Sequence, residues 1–180
     1  MEKLFISICT VVFANIVMQA QQQTTVNIRL YPIQTLVVNG NQKNVNLDYH
    51  TKADYANGVS VEQKDHLQIY STGGFSVHVR SESPTLTSQQ ALVTESIAAS
   101  DLTITAKSGD SNPLSDAVYS TAGLSTSPEK IIESSTGGIN RTVTVEYKAQ
   151  GNLDAYINKH MTPGEATVYS AEVIYEIVAQ

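Results

Sequence analysis

Four histidines, one Ser-x-His and a short run of acids and amides are the residues of this chain with chemistry to offer. The histidines are His50, His66, His78 and His160. Metal-binding pairs are spaced so that both imidazoles reach one ion, as in H-x-H or H-E-x-x-H, and no two of these share such a spacing. His66 and His78 flank Gly73-Gly74, so a turn there would make them cross-strand neighbours; the expectation is that they are solvent-facing strand histidines. Gly74-Phe75-Ser76-Val77-His78 approaches the G-x-S-x-G elbow of serine hydrolases. Its fifth residue is His, and its alternation is that of a strand rather than a strand-to-helix turn. Asp110, Asn112 and Asp116 have the first spacings of a calcium loop. Ser115 stands where the loop glycine belongs and Thr121 where the closing acid belongs, so a solvated polar loop is expected. Asn140-Arg141-Thr142 fits the glycosylation sequon, a short pattern that often arises by chance. No catalytic set, metal set or cofactor fingerprint remains, so no catalytic residues, no metal, no cofactor and no hydrolase or redox activity are expected.

The elements around these residues begin with a leader. Met1-Glu2-Lys3 precedes an apolar run from Leu4 to Val17, then Met18-Gln19-Ala20 and a polar Gln21-Gln22-Gln23. A charged start, an apolar stretch and a small residue before a polar start are the parts of a secretory signal peptide, with cleavage expected after Ala20. The competing reading is an uncleaved anchor, but the run is shorter than the ~20 residues a bilayer requires, and Asn15 and Gln19 interrupt it. Cys9, the only cysteine, lies in mid-run, so neither lipidation at the end of the leader nor a disulfide is expected. The expected organisation is a signal peptide over 1–20 and one domain over 21–180, exported to the cell surface, the medium or the periplasm, with no membrane span after cleavage.

A net charge of −6 with only 11 Lys+Arg leaves no footprint for nucleic acid and no basic patch for an anionic membrane. Charged residues are 16%, below the usual ~25%, and Ser, Thr, Asn and Gln fill the polar positions instead.

Nearly every apolar segment of the domain has a period of two, the signature of half-buried strands. Val26, Ile28 and Leu30 alternate with polar neighbours. Leu36-Val37-Val38 leads into Asn39-Gly40, a strong hairpin signal, with Val45, Leu47 and Tyr49 beyond it. Leu67 and Ile69, then Phe75, Val77 and Val79, flank Ser71-Thr72-Gly73-Gly74. Leu102, Ile104 and Ala106 form another set, as do Val143, Val145 and Tyr147. The last strand carries Tyr169, Ala171, Val173, Tyr175 and Ile177. Only 88–99 suggests a helix, and the polar stretch 107–128 reads as a long surface excursion. Ser135-Thr136-Gly137-Gly138 repeats the earlier Ser71–Gly74 motif, and two hairpins with the same turn chemistry would explain it. The five prolines sit at strand ends or in loops, where a missing N–H breaks no central ladder. Eight or nine short antiparallel strands in one domain predict an all-β, Ig-like β-sandwich.

Three features together resemble the Ig-like pilin and fimbrial subunits of Gram-negative bacteria, of the spore-coat-U and alternate chaperone–usher types. They are the alternating Thr24–Leu30 directly after the leader, the Tyr-rich alternating strand Thr167–Val178 near the end, and a cysteine-free sandwich pattern between them. The leader with glutamine at the expected cleavage point also resembles exported proteins of the Bacteroidota. The resemblance implies a structural or adhesive surface subunit that polymerises into filaments by donor-strand exchange. A periplasmic chaperone and an outer-membrane usher would be its partners, and Val26, Ile28 and Leu30 its subunit-interaction strand. Two alternatives stay open: the same segment as strand A of a self-contained sandwich, and a binding module for cell-wall or extracellular glycan. The absence of tryptophan counts against a sugar-stacking site.

The leader makes the first testable prediction. Protein recovered from the cell envelope or the medium should begin near Gln21 and carry no free thiol. Intact-mass measurement checks this, and retention of 1–20 would refute it.

Overall fold

In the computed structural model the described residues are 21–151, 154, 156–159 and 164–180. Residues 1–20, the expected leader with Cys9, and also His160 and Pro163 lie outside them. The chain divides into two units, 1–30 and Tyr31–Gln180. The described part of the first unit, 21–30, has neither helix nor strand and is exposed throughout. The second unit is an all-β sandwich. With strands numbered in chain order, its larger sheet runs β1 (Gln34–Val38), β2 (Gly58–Ser71), β10 (Gly138–Gln150), β6 (Leu102–Ser108), β8 (Thr121–Gly123). The smaller runs β11 (Val173–Ala179), β3 (Phe75–Ser81), β9 (Glu129–Ser134), β7 (Ala117–Tyr119). A separate hairpin pairs β4 (Thr85–Thr87) with β5 (Ser96–Ala98), and every ladder between these strands is antiparallel. Eleven strands thus stand where eight or nine were expected, and the extra ones are three-residue pieces.

The alternating apolar sets do face the core. Leu67, Ile69, Phe75, Val77, Ile104, Val143 and Val145 are fully buried between the two sheets. Burial of side chains this size is worth roughly 1.5–3 kcal/mol each. Ile131 and Ile132 are adjacent yet both buried. The β3–β9 register explains this: Val77 pairs with Ile132 and His78 with Lys130, so Ile131 is the extra residue of a β-bulge.

The repeated Ser-Thr-Gly-Gly motif is not a pair of hairpins. β2 and β3 lie in different sheets, as do β9 and β10, so each motif is a corner that carries the chain across the sandwich. The corners abut, because β2 pairs with β10 at Ser71↔Gly138 and β3 with β9 at Phe75↔Ser134. A Cβ on Gly137 would lie 2.2 Å from the Ser71 carbonyl oxygen and 2.8 Å from the Gly73 nitrogen. The motif recurs because two crossings share one crowded edge of the fold.

Three further local expectations are corrected. Asn39-Gly40 makes no hairpin; the Asn39 Oδ1 accepts from the Asn41 N–H at 3.2 Å and caps a 3-10 turn over Gly40–Gln42. Val45, Leu47 and Tyr49 beyond it are half-buried against the core while their neighbours are exposed, yet the segment belongs to no ladder. The suspected helix at 88–99 is the loop that joins β4 to β5, β5 itself, and the first residue of a 3-10 turn over Ala99–Asp101. The α-helix is instead Lys52–Asn57, started by a capping box in which Thr51 and Asp54 bond each other's backbone N–H.

The surface excursion holds two strands. Ala117–Gly123 leaves the smaller sheet as β7 and enters the larger as β8. Ser120 is the hinge of that switch: its N–H donates to the Ile131 carbonyl, and its carbonyl accepts from the Ala106 N–H. One side of the sandwich is therefore sealed by a single continuous strand. On the other side β1 and β11, among the described residues, each pair on one edge only.

The abutting corners make a paired prediction. Gly137→Ala would drive a Cβ into backbone and should cost about 1–3 kcal/mol. Gly73→Ala meets nothing within 4 Å and should stay within about 0.5 kcal/mol of wild type. Urea unfolding of both variants checks this, and equal effects would refute the crowded-corner account.

Candidate functional site

The segment singled out by sequence, with Val26, Ile28 and Leu30, has the exposure of an interaction surface. The three side chains are 80%, 83% and 90% exposed. They alternate with Asn27 and Arg29, so an extended backbone would place them on one face. Tyr31 and Ile33, at the start of the second unit, are also exposed.

The free edge of β11 is seven residues long and that of β1 five. The inward residues of these two strands are only half-buried: Leu36 and Val38 on β1, and Val173, Tyr175 and Ile177 on β11. On the central strand β3 their counterparts Phe75, Val77 and Val79 are at most 1% exposed. The core is thus less covered on the β1/β11 side than at its centre.

The sequence places His66 wrongly. It is 1% exposed and not solvent-facing. Period-two reading fails there because the β2–β10 register slips: Val143 opposes Leu67 and Val145 opposes Gln63, leaving extra residues on β2. Asp65 takes φ +49 within that bulge, and Leu67 and His66 are consecutive buried residues. The Asp65 carboxylate accepts from the Ser111 hydroxyl at 2.6 Å and from the Asp110 and Ser111 N–H groups. These bonds, the Ser111 hydroxyl first, hold its pKa down to about 2. His66 Nε2 lies 2.7 Å from the Tyr147 hydroxyl, which lies 2.6 Å from the Tyr175 hydroxyl. Burial pushes the Tyr147 phenol up to about 12.

Ser76 and His78 do meet, with Oγ 3.1 Å from Nε2. Two features argue against acyl-transfer chemistry. Ser76 is 5% exposed, and β3 is paired on both sides, so its N–H groups are committed to ladders rather than free to hold an oxyanion. His78 pairs in register with Glu176, whose carboxylate is engaged by the Arg80 guanidinium at 3.1 Å. Among the described residues no group of three His, Cys, Asp or Glu could hold a metal ion. Asp110 of the supposed calcium loop pairs with Lys64 at 3.0 Å, and Asn112 bonds the backbone of Ile139 and Asn140. Asn140 sits at φ +49, and Thr142 of the sequon is 7% exposed.

Two open cavities lie among the described residues. One of about 450 Å³ is lined by Val37, Asn39, Asp65, Gln68, Ser111 and Thr142, among others. The other, about 240 Å³, is lined by Ser100, Asp101, Thr103, Lys148 and Gln150. Neither wall carries an aromatic ring on which a sugar would stack. The tyrosine cluster nearby is turned on itself: Tyr49 packs on Tyr55 and Tyr156, Tyr156 donates to Asp101 at 3.0 Å, and Tyr49 donates to the Gln150 carbonyl at 2.7 Å. No described helix is long and apolar enough to cross a membrane.

No protein-family model matches this chain, and no curated protein matches it.

The exposure of 21–30 leads to a direct test. Trypsin acting on residues 21–180 should cut first after Arg29, which is exposed and outside any ladder, and leave a folded fragment from Leu30. Mass spectrometry of a digestion time course checks this. First cleavage within the sandwich would refute it.

Proposed function

We propose that this chain is an exported, structural or adhesive subunit of the bacterial cell surface that joins its neighbours by strand addition, with Val26, Ile28 and Leu30 as the inserting face. The observation that carries the reading is their combination of alternation, near-complete exposure and absence from any ladder. Covering three such side chains is worth roughly 4.5–9 kcal/mol gross at 1.5–3 kcal/mol each, before ordering costs. Addition to an existing sheet edge also supplies main-chain hydrogen bonds, and the alternate side chains supply specificity. Seven residues from Thr24 to Leu30 match the seven-residue free edge of β11 in length. A carrier such as a periplasmic chaperone would shield the apolar face until assembly, and an outer-membrane usher would be the site of assembly. Neither the geometry of Ser76 and His78 nor the two cavities favours an enzyme or a glycan module over this reading.

Ile28→Asp is the deciding variant. The position is 83% exposed, so the isolated subunit should unfold within about 0.5 kcal/mol of wild type. Assembly should fail, because the new carboxylate would be buried unpaired in the joint. Thermal unfolding, light-scattering size distribution and electron microscopy of leaderless protein check this. In wild-type assemblies Arg29 should also become resistant to trypsin. A wild type that stays monomeric, or a variant that assembles unchanged, would overturn the proposal.

A further inference from the structure

The buried polar chain from Gln42 to Tyr175 has fixed proton positions, and they show what acid would do to it. The Gln42 side-chain N–H donates to the Lys64 carbonyl at 3.0 Å, which sets the amide orientation. Its Oε1 then faces His66 Nδ1 at 3.0 Å, and an amide oxygen only accepts, so Nδ1 carries the proton. Nε2 must therefore accept from the Tyr147 hydroxyl, and Tyr147 in turn accepts from Tyr175. The chain starts beside β2, passes through β10 and ends on β11, so it links the larger sheet to the edge strand of the smaller one. The rings of Tyr147 and Tyr175 also meet the imidazole edge-on, at 5.5 and 6.0 Å between centroids.

We infer that the His66–Tyr147–Tyr175 chain is an acid-sensitive latch that holds β11 against the larger sheet. A proton added to Nε2 makes that atom a donor to the Tyr147 oxygen. The Tyr147 hydroxyl must then turn to the Tyr175 oxygen, which displaces the Tyr175 proton. Among the described residues the Tyr175 hydroxyl has no second hydrogen-bond partner to receive it. Acid would thus place a charge in the core and orphan a donor on β11 in the same step. The groups that face His66 are Gln42, Tyr147 and Tyr175, none of them charged. Burial alone lowers the imidazole from its ordinary 6.5 to about 4. The sign follows: the latched state is the neutral one, the released state takes up the proton, and the latch weakens as pH falls from about 6.5 toward 4. Above that window it is insensitive to pH. The inference rests on the fold and not on the subunit reading.

Hydrogen exchange on the leaderless protein, with rates corrected for intrinsic chemistry, tests it. Opening of Val173–Ala179 should rise about 30-fold between pH 7.5 and pH 5, from the two pKa values, while β6 and β10 change far less. Imidazole NMR should show His66 neutral and protonated at Nδ1 down to pH 5. His66→Gln should abolish the pH dependence of β11. Should that variant fail to fold, Tyr175→Phe serves, since it leaves His66 in place but cuts the link: β11 should open more at pH 7.5 and lose its extra response to acid. Unchanged β11 protection, a uniform loss across all strands, or an acid response that survives in Tyr175→Phe would overturn the latch.

Discussion

The β2–β10 ladder is the constraint on which the remaining structure depends. These are the longest strands, 14 and 13 residues, and they are neighbours at the middle of the larger sheet. Their backbones approach too closely for side chains at both ends. At one end Gly137 fits under the Ser71 carbonyl. At the other a Cβ on Gly58 would sit 2.2 Å from the Ala149 carbonyl, and one on Gly151 2.2 Å from the Gly58 nitrogen. Gly58 also needs φ +81, which only glycine adopts without strain. Register fixed at both ends leaves the surplus residues of β2 to bulge in the middle, around Asp65. That bulge turns His66 into the core, and the Asp65 carboxylate, bonded to Ser111 and to the Asp110 amide, ties the 109–112 loop to it.

The same ladder explains which parts of the fold were legible in the sequence. Strands with one buried face announce themselves by alternation, and Phe75–Val79, Leu102–Ala106 and Val143–Tyr147 were readable for that reason. Connections were not, because a turn motif states local backbone preference and not the sheet each flanking strand joins. Ser71–Gly74 and Ser135–Gly138 read as hairpins although they are inter-sheet corners. Asn39-Gly40 read as a hairpin although Asn39 caps a 3-10 turn. β7 and β8 were invisible, since three-residue strands have no measurable period. The helix was readable in principle: Thr51-Lys52-Ala53-Asp54 is a capping box, overlooked because six residues show no helical period. His66 was misplaced because the bulge turns two consecutive residues, His66 and Leu67, inward, while the odd positions on both sides of it keep the core face, and nothing in the local sequence marks a bulge.

At the candidate site the sequence supplied the apolar face of Val26, Ile28 and Leu30 but not the edges of the sheets. Strand order is a long-range property: β1 and β11 become edges only once β2 has paired with β10 and β3 with β9. Nor does any sequence signal join Gln42, His66, Tyr147 and Tyr175, which come from four separate segments.

The two sides of the sandwich handle the exposed-edge problem differently, and the contrast bears on function. Free sheet edges invite pairing with other chains, so natural proteins shorten, twist or cover them. Here one side follows that rule: β7 and β8 are three residues each, and the chain between them turns at Ser120, so neither offers a long template. The other side leaves seven residues of β11 and five of β1 paired on one edge only, with half-buried apolar side chains behind them. The charges that would guard such an edge are sparse. Glu176 is the only ionisable side chain besides Tyr175 on β11, and it is engaged by Arg80; β1 has none. An edge left long on one side of a fold that suppresses its edges on the other is best explained by a use for it. Together with the exposed alternating segment of Val26, Ile28 and Leu30, such an edge would supply the two halves of the strand-addition joint proposed for this chain.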